Sequence, residues 1–209
     1  FDTFPRMKII CIGWNYDDHN REMSRDGRPE APIFFLKPDT ALLRDNKPFF
    51  LPDFSERVEY ECELVYRIDR IGKNIAERFA HRYYSQVALG VDFTARDLQA
   101  ECRRSGSPWA IAKSFDNSAV ISEFVDLQAV GGQHIGFSLY KNGSQVQSAS
   151  SDDMIFTIDK IIAYVSRYMT LKIGDLIYTG TPSGVGTVAI GDNLRGLIGD
   201  KEMFDFFVR

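Results

Sequence analysis

Hydrophobic and polar positions alternate most regularly in VEYECELVYRI, residues 58–68. A β-strand points successive side chains to opposite faces of its sheet. One face of this segment is apolar and consists of Val58, Tyr60, Cys62, Leu64 and Tyr66. The other face aligns the carboxylates of Glu59, Glu61 and Glu63, with neighbours about 6.6 Å apart. Acids this close repel one another, so that face requires either solvent or a bound cation.

Shorter apolar runs predict the remaining strands. They cover residues 7–12, 33–37, 87–93, 109–115, 176–179, 193–197 and 203–208. A hairpin is predicted over residues 135–149, because Asn142-Gly143 suits the type I′ turn that joins two strands.

Helical spacing is clearest near residues 157–169. The apolar stripe there consists of Ile158, Ile161, Ile162, Val165 and Met169. Shorter helical segments are predicted over residues 15–23, over residues 75–79 with Asn74 as cap, and over residues 95–104 with Thr94 as cap. Strands and helices do not alternate regularly, so the pattern predicts an α+β, mainly β fold and not a doubly wound sheet.

The composition fits one globular domain. The chain has 209 residues, of which 44% are hydrophobic and 26% charged, and this is enough to bury a full core. No repeat or low-complexity linker divides the chain. We therefore expect a single domain over residues 7–209. Residues 1–6 precede Met7 and are interpreted as a leader or a cloning addition.

Charge and cysteine content exclude several classes of protein. A net charge of −4 without a Lys/Arg cluster argues against a nucleic-acid partner. No apolar run reaches the length of a membrane span, and no signal-peptide pattern is visible. The three cysteines are widely spaced without a CxxC pair. They indicate reduced thiols, and hence a cytoplasmic protein.

Carboxylates at three positions form the first candidate site. Glu61 and Glu63 share a strand face, and Asp92 interrupts the apolar run ALGVDFT. Hard oxygen ligands of this kind suit Mg²⁺, and a charge in a buried run needs a partner or a metal. An ion pair of Asp92 with Arg96 or Arg57 is the equal alternative.

Three further segments carry candidate chemistry. His19 and Glu22 lie three residues apart, so on a helix the acid could orient the imidazole as a base, although a solvated surface pair has the same spacing. Lys113 stands in the apolar run WAIAK and either binds an anion or extends its amine from a strand end. TGTPSGVG, residues 179–186, is either an anion-binding loop or a plain turn.

The order and amino-acid sequences of six segments resemble those of one family. The chain is similar to the short form of the fumarylacetoacetate hydrolase family, which lacks the large N-terminal domain. The matching segments are GWNYDDHNREM, FFLKP, VEYECEL, GVDFTARDLQ, AKSFD and TGTPSGVG. The resemblance extends over essentially the whole chain from about residue 7. It implies a mixed β-sandwich roll, a homodimer, and a divalent metal, Mg²⁺ with Mn²⁺ or Ca²⁺ as alternatives.

The resemblance also implies roles for the candidate residues. Glu61, Glu63 and Asp92 correspond to the metal ligands. His19 and Glu22 correspond to a catalytic dyad on a lid.

The remaining implied residues contact the substrate. Lys113 would touch the substrate or a water on the metal. Arg96, Gln99 and Thr181 would contact its carboxylate or keto groups. Trp14 departs from the family pattern G-R-N-Y, since an indole brings no charge, and binding of a second carboxylate at that position becomes less favourable.

The implied reaction is hydrolysis of a C–C bond in a small 1,3-diketo acid such as an acylpyruvate. Decarboxylation or keto–enol isomerisation of a related 2-keto acid at the same site is the alternative, because all three reactions share an enolate. A non-catalytic, metal-stabilised binding module is the alternative from another class of protein.

Overall fold

The computed structural model describes residues 7–24, 27–132 and 134–209. The predicted leader, residues 1–6, lies outside the described residues. The strands in chain order are β1 (Ile9–Gly13), β2 (Ile33–Lys37), β3 (Leu42–Leu43), β4 (Val58–Tyr60), β5 (Cys62–Ile68), β6 (Tyr84–Asp92), β7 (Thr94–Ala95), β8 (Ala119–Ile121), β9 (Val125–Asp126), β10 (Gly136–Lys141), β11 (Ser144–Ser150), β12 (Leu176–Tyr178), β13 (Gly186–Thr187), β14 (Asn193–Ile198) and β15 (Lys201–Phe207).

Helices are short and few by comparison. The α-helices are α1 (Asp17–Glu22), α2 (Arg96–Ser105), α3 (Ala110–Lys113) and α4 (Ile158–Val165). Short 3₁₀ helices cover Asp39–Ala41, Glu77–Arg82, Leu127–Val130 and Ser151–Asp153. The predicted α+β, mainly β class is confirmed. Within the described ranges, no helix is long and apolar enough to cross a lipid bilayer.

The strands form three sheets. The largest has the order β2-β1-β12-β5-β6-β8-β3, with β9 beside β6. It is mixed, because β1/β12 and β3/β8 pair in parallel and the other neighbours are antiparallel. A second sheet has the order β11-β10-β14-β15, and a third joins β13, β4 and β7.

The two larger sheets pack against each other around one apolar core. Phe206 of the second sheet contacts Phe93 edge-on, with ring centroids 6.3 Å apart. Gly196 permits the close approach, because a Cβ there would lie 2.4 Å from the ring of Phe204 and 2.7 Å from Leu89 of the large sheet. This packing gives the sandwich-like roll that the family resemblance implies.

Two local predictions are confirmed in detail. The hairpin of β10 and β11 turns at Asn142 and Gly143, whose φ values of 52° and 81° are both in the left-handed region that a type I′ turn requires. The amphipathic helix is α4, where Thr157 accepts a hydrogen bond from the backbone N–H of Lys160.

Other local predictions are wrong. The predicted strand over residues 109–115 contains instead the short helix α3, since an apolar run of this length fits either structure. Lys113 N–H bonds to Trp109 C=O at 2.9 Å. Residues 75–79 do not form a capped helix. Asn74 has a φ of 53°, and the 3₁₀ turn begins only at residue 77. Thr94 belongs to β7, and Ala95 is the N-cap of α2.

Candidate active site and metal centre

A break in the strand at residues 58–68 gathers the acidic side chains. The strand stops at Glu61, so that β4 joins the small sheet while β5 continues in the large one. Asp92 ends the neighbouring strand β6, and its N–H donates to Glu61 C=O at 2.8 Å. Ligand oxygens of Glu61, Glu63 and Asp92 therefore all lie within 4.8 Å of one another.

These acids are buried, which excludes solvent screening as the reason they are tolerated. Glu59, Glu61 and Glu63 are 2%, 6% and 1% exposed, and Asp92 is fully buried. Charged groups at such depth require partners. Each acid has a different set of partners, and these differences define the site.

Glu63 is the acid with the least cationic support. Its carboxylate accepts a hydrogen bond from Gly180 N–H at 2.7 Å, and Gly180 belongs to the TGTPSGVG loop. Burial raises the pKa of Glu63 well above its usual range, and the charges of Asp92 and Glu61 raise it further. A bound cation would favour the ionised form of Glu63.

Lys113 lies between the other two acids. Its Nζ is 2.6 Å from Glu61 and 2.8 Å from Asp92. Burial alone would lower the pKa of Lys113, but Asp92 and Glu61 raise it above the ordinary lysine value. Burial likewise opposes the charge of Glu61, yet Lys113 and Arg96 hold the pKa of Glu61 below its usual range. The amine is therefore a fixed cation at the centre of the site.

Lys37, at the end of β2, is a contact of the acidic cluster that sequence reasoning missed. Its buried Nζ lies 2.8 Å from Asp92 Oδ1 and donates to Ser118 Oγ at 2.9 Å. The alternative ion pair of Asp92 with Arg96 or Arg57 is wrong, because lysines contact both of its oxygens. A lone lysine before Pro38 in FFLKP was the available signal.

Arg96 opens helix α2 and connects the acids to a polar cluster. Its guanidinium donates to Glu59, Glu61 and the side-chain oxygen of Gln99, each at 2.6 Å. Arg57 also contacts Glu59, at 2.6 Å. Glu59 therefore pairs with two arginines.

His19 and Glu22 lie on α1 as the spacing predicted. His19 is buried, and its Nδ1 is 3.4 Å from Glu22 Oε2. Burial lowers the pKa of His19 below its ordinary value, which outweighs the opposing effects of Glu61 and Glu22. Glu22 in turn accepts a hydrogen bond from Gly184 N–H at 3.0 Å. If Nδ1 donates to Glu22, Nε2 is left as the proton acceptor.

The TGTPSGVG loop contributes more than a turn. Its N–H groups donate to two carboxylates of the chain itself, those of Glu63 and Glu22. Thr181 Oγ1 donates to Cys62 C=O at 2.9 Å and accepts from Gln147 Nε2 at 2.8 Å. The hydroxyl of Thr181 thus has two protein partners, and its contact with substrate stays a prediction.

All these elements surround one cleft with about 360 Å³ of empty volume. The predicted site residues line it, except Glu22, which supports His19 from behind. Trp14, Arg103 and Trp109 form its outer rim, and of these three the sequence had pointed only to Trp14.

Comparison with known proteins agrees with this geometry. The model of the fumarylacetoacetate (FAA) hydrolase C-terminal domain matches residues 8–205. The chain belongs to this family. It is 40% identical over 188 residues to the mitochondrial oxaloacetate tautomerase of Bos taurus, covering 90% of this chain and 85% of the relative. It is 38% identical to the oxaloacetate tautomerase YcgM of Escherichia coli (strain K12), and the match covers 91% of this chain and 88% of that relative.

Solved family structures have the same fold. Fumarylpyruvate hydrolase from Pseudomonas aeruginosa, in complex with Mn²⁺ and pyruvate, superimposes with a TM-score of 0.91 at 36% identity, covering 100% of this chain and 92% of that one. The 5-carboxymethyl-2-hydroxymuconate delta-isomerase from Mycobacterium smegmatis gives a TM-score of 0.84 at 30% identity, and the match covers 97% of this chain and 78% of that one. Enzymes of this family therefore include tautomerases, hydrolases and isomerases.

The acidic cluster of this family member fits a divalent metal. Carboxylate oxygens are the ligands that hard divalent cations prefer, and those of Glu61, Glu63 and Asp92 converge. Together with the Mn²⁺ of the solved relative, these observations suggest a divalent-metal site.

Proposed function

We propose that the chain is a divalent-metal-dependent enzyme that interconverts the keto and enol forms of a small 2-keto acid of the oxaloacetate type. The observation that carries the proposal is a buried histidine, with its pKa lowered, in the same cleft as a convergent acidic cluster and a fixed ammonium group. The names of relatives at 38–40% identity support this reaction.

Glu61, Glu63 and Asp92 would hold the metal, which we propose to be Mg²⁺, with Mn²⁺ or Ca²⁺ as alternatives. The bound cation would polarise the keto group and stabilise the enolate. Ionisation of Glu63 accompanies its binding, because a ligand carboxylate must lose its proton.

His19 would be the base. In the keto-to-enol direction its Nε2 takes one proton from the carbon next to the keto group, and the electron pair of that C–H bond forms the C=C bond. The former keto oxygen then receives a proton, so no atom is gained or lost. Glu22 positions the imidazole, and burial keeps it neutral near pH 7.

The other polar side chains would hold the anionic substrate. Lys113 is charged and central, so it is suited to stabilise negative charge on the enolate oxygen. Arg96 and Gln99 present a coupled pair of donors beside the acids, suited to a carboxylate. Thr181 would contact the keto acid from the loop opposite.

Hydrolysis of an acylpyruvate is the second candidate, favoured by the solved fumarylpyruvate hydrolase and expected from the sequence. His19 would take a proton from water, whose oxygen adds to the distal carbonyl. The C–C bond then breaks and its electron pair forms the enolate, which a proton converts to pyruvate beside the new carboxylic acid. Decarboxylation of a β-keto acid would pass through the same enolate.

Two assays on the enzyme with Mg²⁺ test these proposals. The first follows the ultraviolet absorbance of enol-oxaloacetate as it approaches the keto form, and the second follows pyruvate release from an acylpyruvate. We expect rapid tautomerisation that a chelator abolishes. Enol decay at the buffer rate, together with fast pyruvate release, would place hydrolysis first. Activity in neither assay would contradict both proposals and favour a binding module.

We further propose a homodimer located in the cytoplasm. Family resemblance supports the dimer, and the relative from Escherichia coli supports the location. Several exposed apolar side chains, including Leu36 at 44% and Phe54 at 49%, are available for a subunit interface. Light scattering that gives the mass of one chain would contradict the dimer.

A further inference from the structure

One buried amide of the second sheet reaches the acidic strand and the TGTPSGVG loop. Gln147 lies on the edge strand β11 and is only 2% exposed. Its Oε1 accepts a hydrogen bond from Cys62 N–H at 2.9 Å. Its Nε2 donates to Thr181 Oγ1 at 2.8 Å and to Pro182 C=O at 2.9 Å. The cleft is lined by other residues, Thr181 among them, so Gln147 can influence a bound ligand only through its partners.

Three of these groups close a ring of hydrogen bonds around Cys62. Cys62 N–H donates to Gln147, Gln147 donates to Thr181, and Thr181 Oγ1 donates back to Cys62 C=O at 2.9 Å. Cys62 begins β5, directly after the break in the strand. Buried backbone groups need partners, and at Cys62 two side chains supply them. The ring therefore fixes the backbone at the point where the strand changes sheets.

The fixed residue stands between two of the proposed metal ligands. Glu61 and Glu63 flank Cys62, and residues two apart on a strand point to the same face. The same loop reaches Glu63 a second time, because Gly180 N–H donates to its carboxylate at 2.7 Å. Groups that orient metal ligands typically change metal affinity about 10–100-fold when they are removed. The ring is thus placed to affect how well the acids hold a cation.

A close approach of the loop to β11 brings the amide within reach. Gly184 has a φ of 96°, and a Cβ there would lie 2.1 Å from Val146 C=O and 3.2 Å from Gln147 Cγ. Only glycine fits so near the strand. The amide also has one favourable orientation, because a flipped amide would point its oxygen at Pro182 C=O, and two acceptors cannot bond.

We propose that Gln147 is a positioning residue of the metal centre. It fixes the Cys62 peptide and, through that peptide, the directions of the Glu61 and Glu63 carboxylates. This inference rests on the proposed function in taking the acidic cluster as a divalent-metal site. The second sheet thereby contributes to the site through one amide that touches neither metal nor substrate.

Metal affinity tests the inference without any assay of activity. Gln147→Met keeps a side chain of similar length and removes all three hydrogen bonds of the amide. Calorimetry with Mg²⁺, well below the melting temperature of the variant, should show affinity weakened about tenfold, the lower end for groups that orient ligands because Gln147 acts through the backbone. A loss of stability alone would leave the affinity of the folded protein unchanged.

Gln145→Met is the matched control, since Gln145 lies on the same strand, is exposed and accepts a hydrogen bond only from Tyr140 Oη at 3.2 Å. Its Mg²⁺ affinity should stay within about twofold of the parent, as is usual for surface substitutions. Gln147→Asn is a second test variant. It keeps a polar amide in the buried position but is one methylene too short to reach all three partners, so it should also weaken Mg²⁺.

Unchanged Mg²⁺ affinity in whichever Gln147 variant folds, even with a lower melting temperature, would make Gln147 a structural residue and overturn the inference. Equal weakening by Gln145→Met would overturn it as well, because the effect would then belong to the strand and not to the amide. A parent protein that binds no divalent metal would overturn both this inference and the proposed function. Mg²⁺ binding that Gln147→Met weakens, in a parent without turnover of oxaloacetate or acylpyruvate, would contradict the proposed function alone.

Discussion

The inner end of the cleft and its outer rim hold charge in opposite ways. At the inner end, Glu61, Asp92, Lys37 and Lys113 are all buried and bonded to one another over 2.6–2.8 Å. At the rim, Arg103 is exposed and rests on aromatic rings. Buried ion pairs are fixed and cannot lose a member cheaply, whereas an exposed cation tolerates substitution. Removal of a charge should therefore cost more stability at the inner end than at the rim.

The largest expected effect comes from Asp92→Ala at the inner end. A cluster of three carboxylates reduced to two loses one negative charge and one of its three metal ligands. Calorimetry should therefore detect no Mg²⁺ binding. Lys37 and Lys113 would also lose their shared acid, and removal of one partner from a buried pair typically costs about 3–5 kcal/mol. We therefore expect a large drop in the free energy of unfolding, measured by urea denaturation.

Asp92→Asn separates the two consequences, because it keeps the shape of the side chain and removes its charge. It should fold better than Asp92→Ala and still fail to bind the metal. Unchanged Mg²⁺ affinity in either variant would refute Asp92 as a ligand. The contrast between inner end and rim would then lose its basis.

His19→Ala should have the next largest effect. Loss of a general base typically lowers the rate about 10² to 10⁴-fold, and we expect this for both tautomerisation and acylpyruvate hydrolysis. Any decarboxylation of oxaloacetate should fall much less, because it needs no proton acceptor of this kind. Stopped-flow absorbance and coupled assays measure the three rates.

Metal affinity provides the internal control for His19→Ala. His19 is not a proposed ligand, so calorimetric Mg²⁺ affinity should stay within about twofold of the parent. A parallel loss of metal binding and of all three activities would instead show that His19 is structural. Full retention of tautomerisation would shift the role of base to another group.

The acidic limb of the pH profile extends this prediction. Only neutral imidazole accepts a proton, and burial lowers the pKa of His19. Activity should therefore rise with pH, with a midpoint below the ordinary histidine value of about 6.5. Lys113 has a raised pKa, so its loss of charge should cause no decline in the neutral range. A midpoint well above pH 6.5 would contradict His19 as the base.

The sequence predicted the acids of the site better than their cations. Glu61, Glu63 and Asp92 were identified because strand alternation and a charge within an apolar run are local patterns. Lys113 was predicted to lie on a strand but lies on helix α3, since WAIAK fits a strand and a helix equally well. The partnership of Lys37 with Asp92 spans 55 positions of the chain, and no local pattern encodes such a distance.

The rim illustrates the same limit. Trp14 was recognised as a departure from the family, but its consequence depends on α2 and the segment before α3. Those elements bring Arg103 and Trp109 to the rim. The sequence alone indicated a lost cation, and only the packed structure shows that Arg103 lies over the Trp14 ring.

Glu59→Gln should have a smaller effect, on KM and not on metal affinity. Glu59 is buried but binds Arg57 and Arg96, and it is not among the convergent oxygens. Mg²⁺ affinity should therefore remain nearly intact, while a less firmly held Arg96 should raise KM by about tenfold, in line with loss of one charged hydrogen bond. An equal loss of metal affinity would place Glu59 in the metal site.

The smallest expected effect is the pH dependence of stability without metal. Burial raises the pKa of Glu63 in the folded state, so its stabilising contribution is complete below the unfolded value of about 4.3 and is lost as pH rises through the folded value. The lowered pKa of His19 has the opposite effect on stability, so the contributions of His19 and Glu63 must be separated.

Glu63→Gln removes only the carboxyl, and its melting temperature relative to the parent isolates the contribution of that group. The parent should lose stability relative to Glu63→Gln as pH rises, by a few degrees at about 2–4 °C per kcal/mol for a chain of this size. Added Mg²⁺ should reverse the order at high pH, because the parent alone offers the ionised ligand. A constant difference at every pH would mean that Glu63 is ionised without a metal, and the inner end would then tolerate more negative charge than its burial suggests.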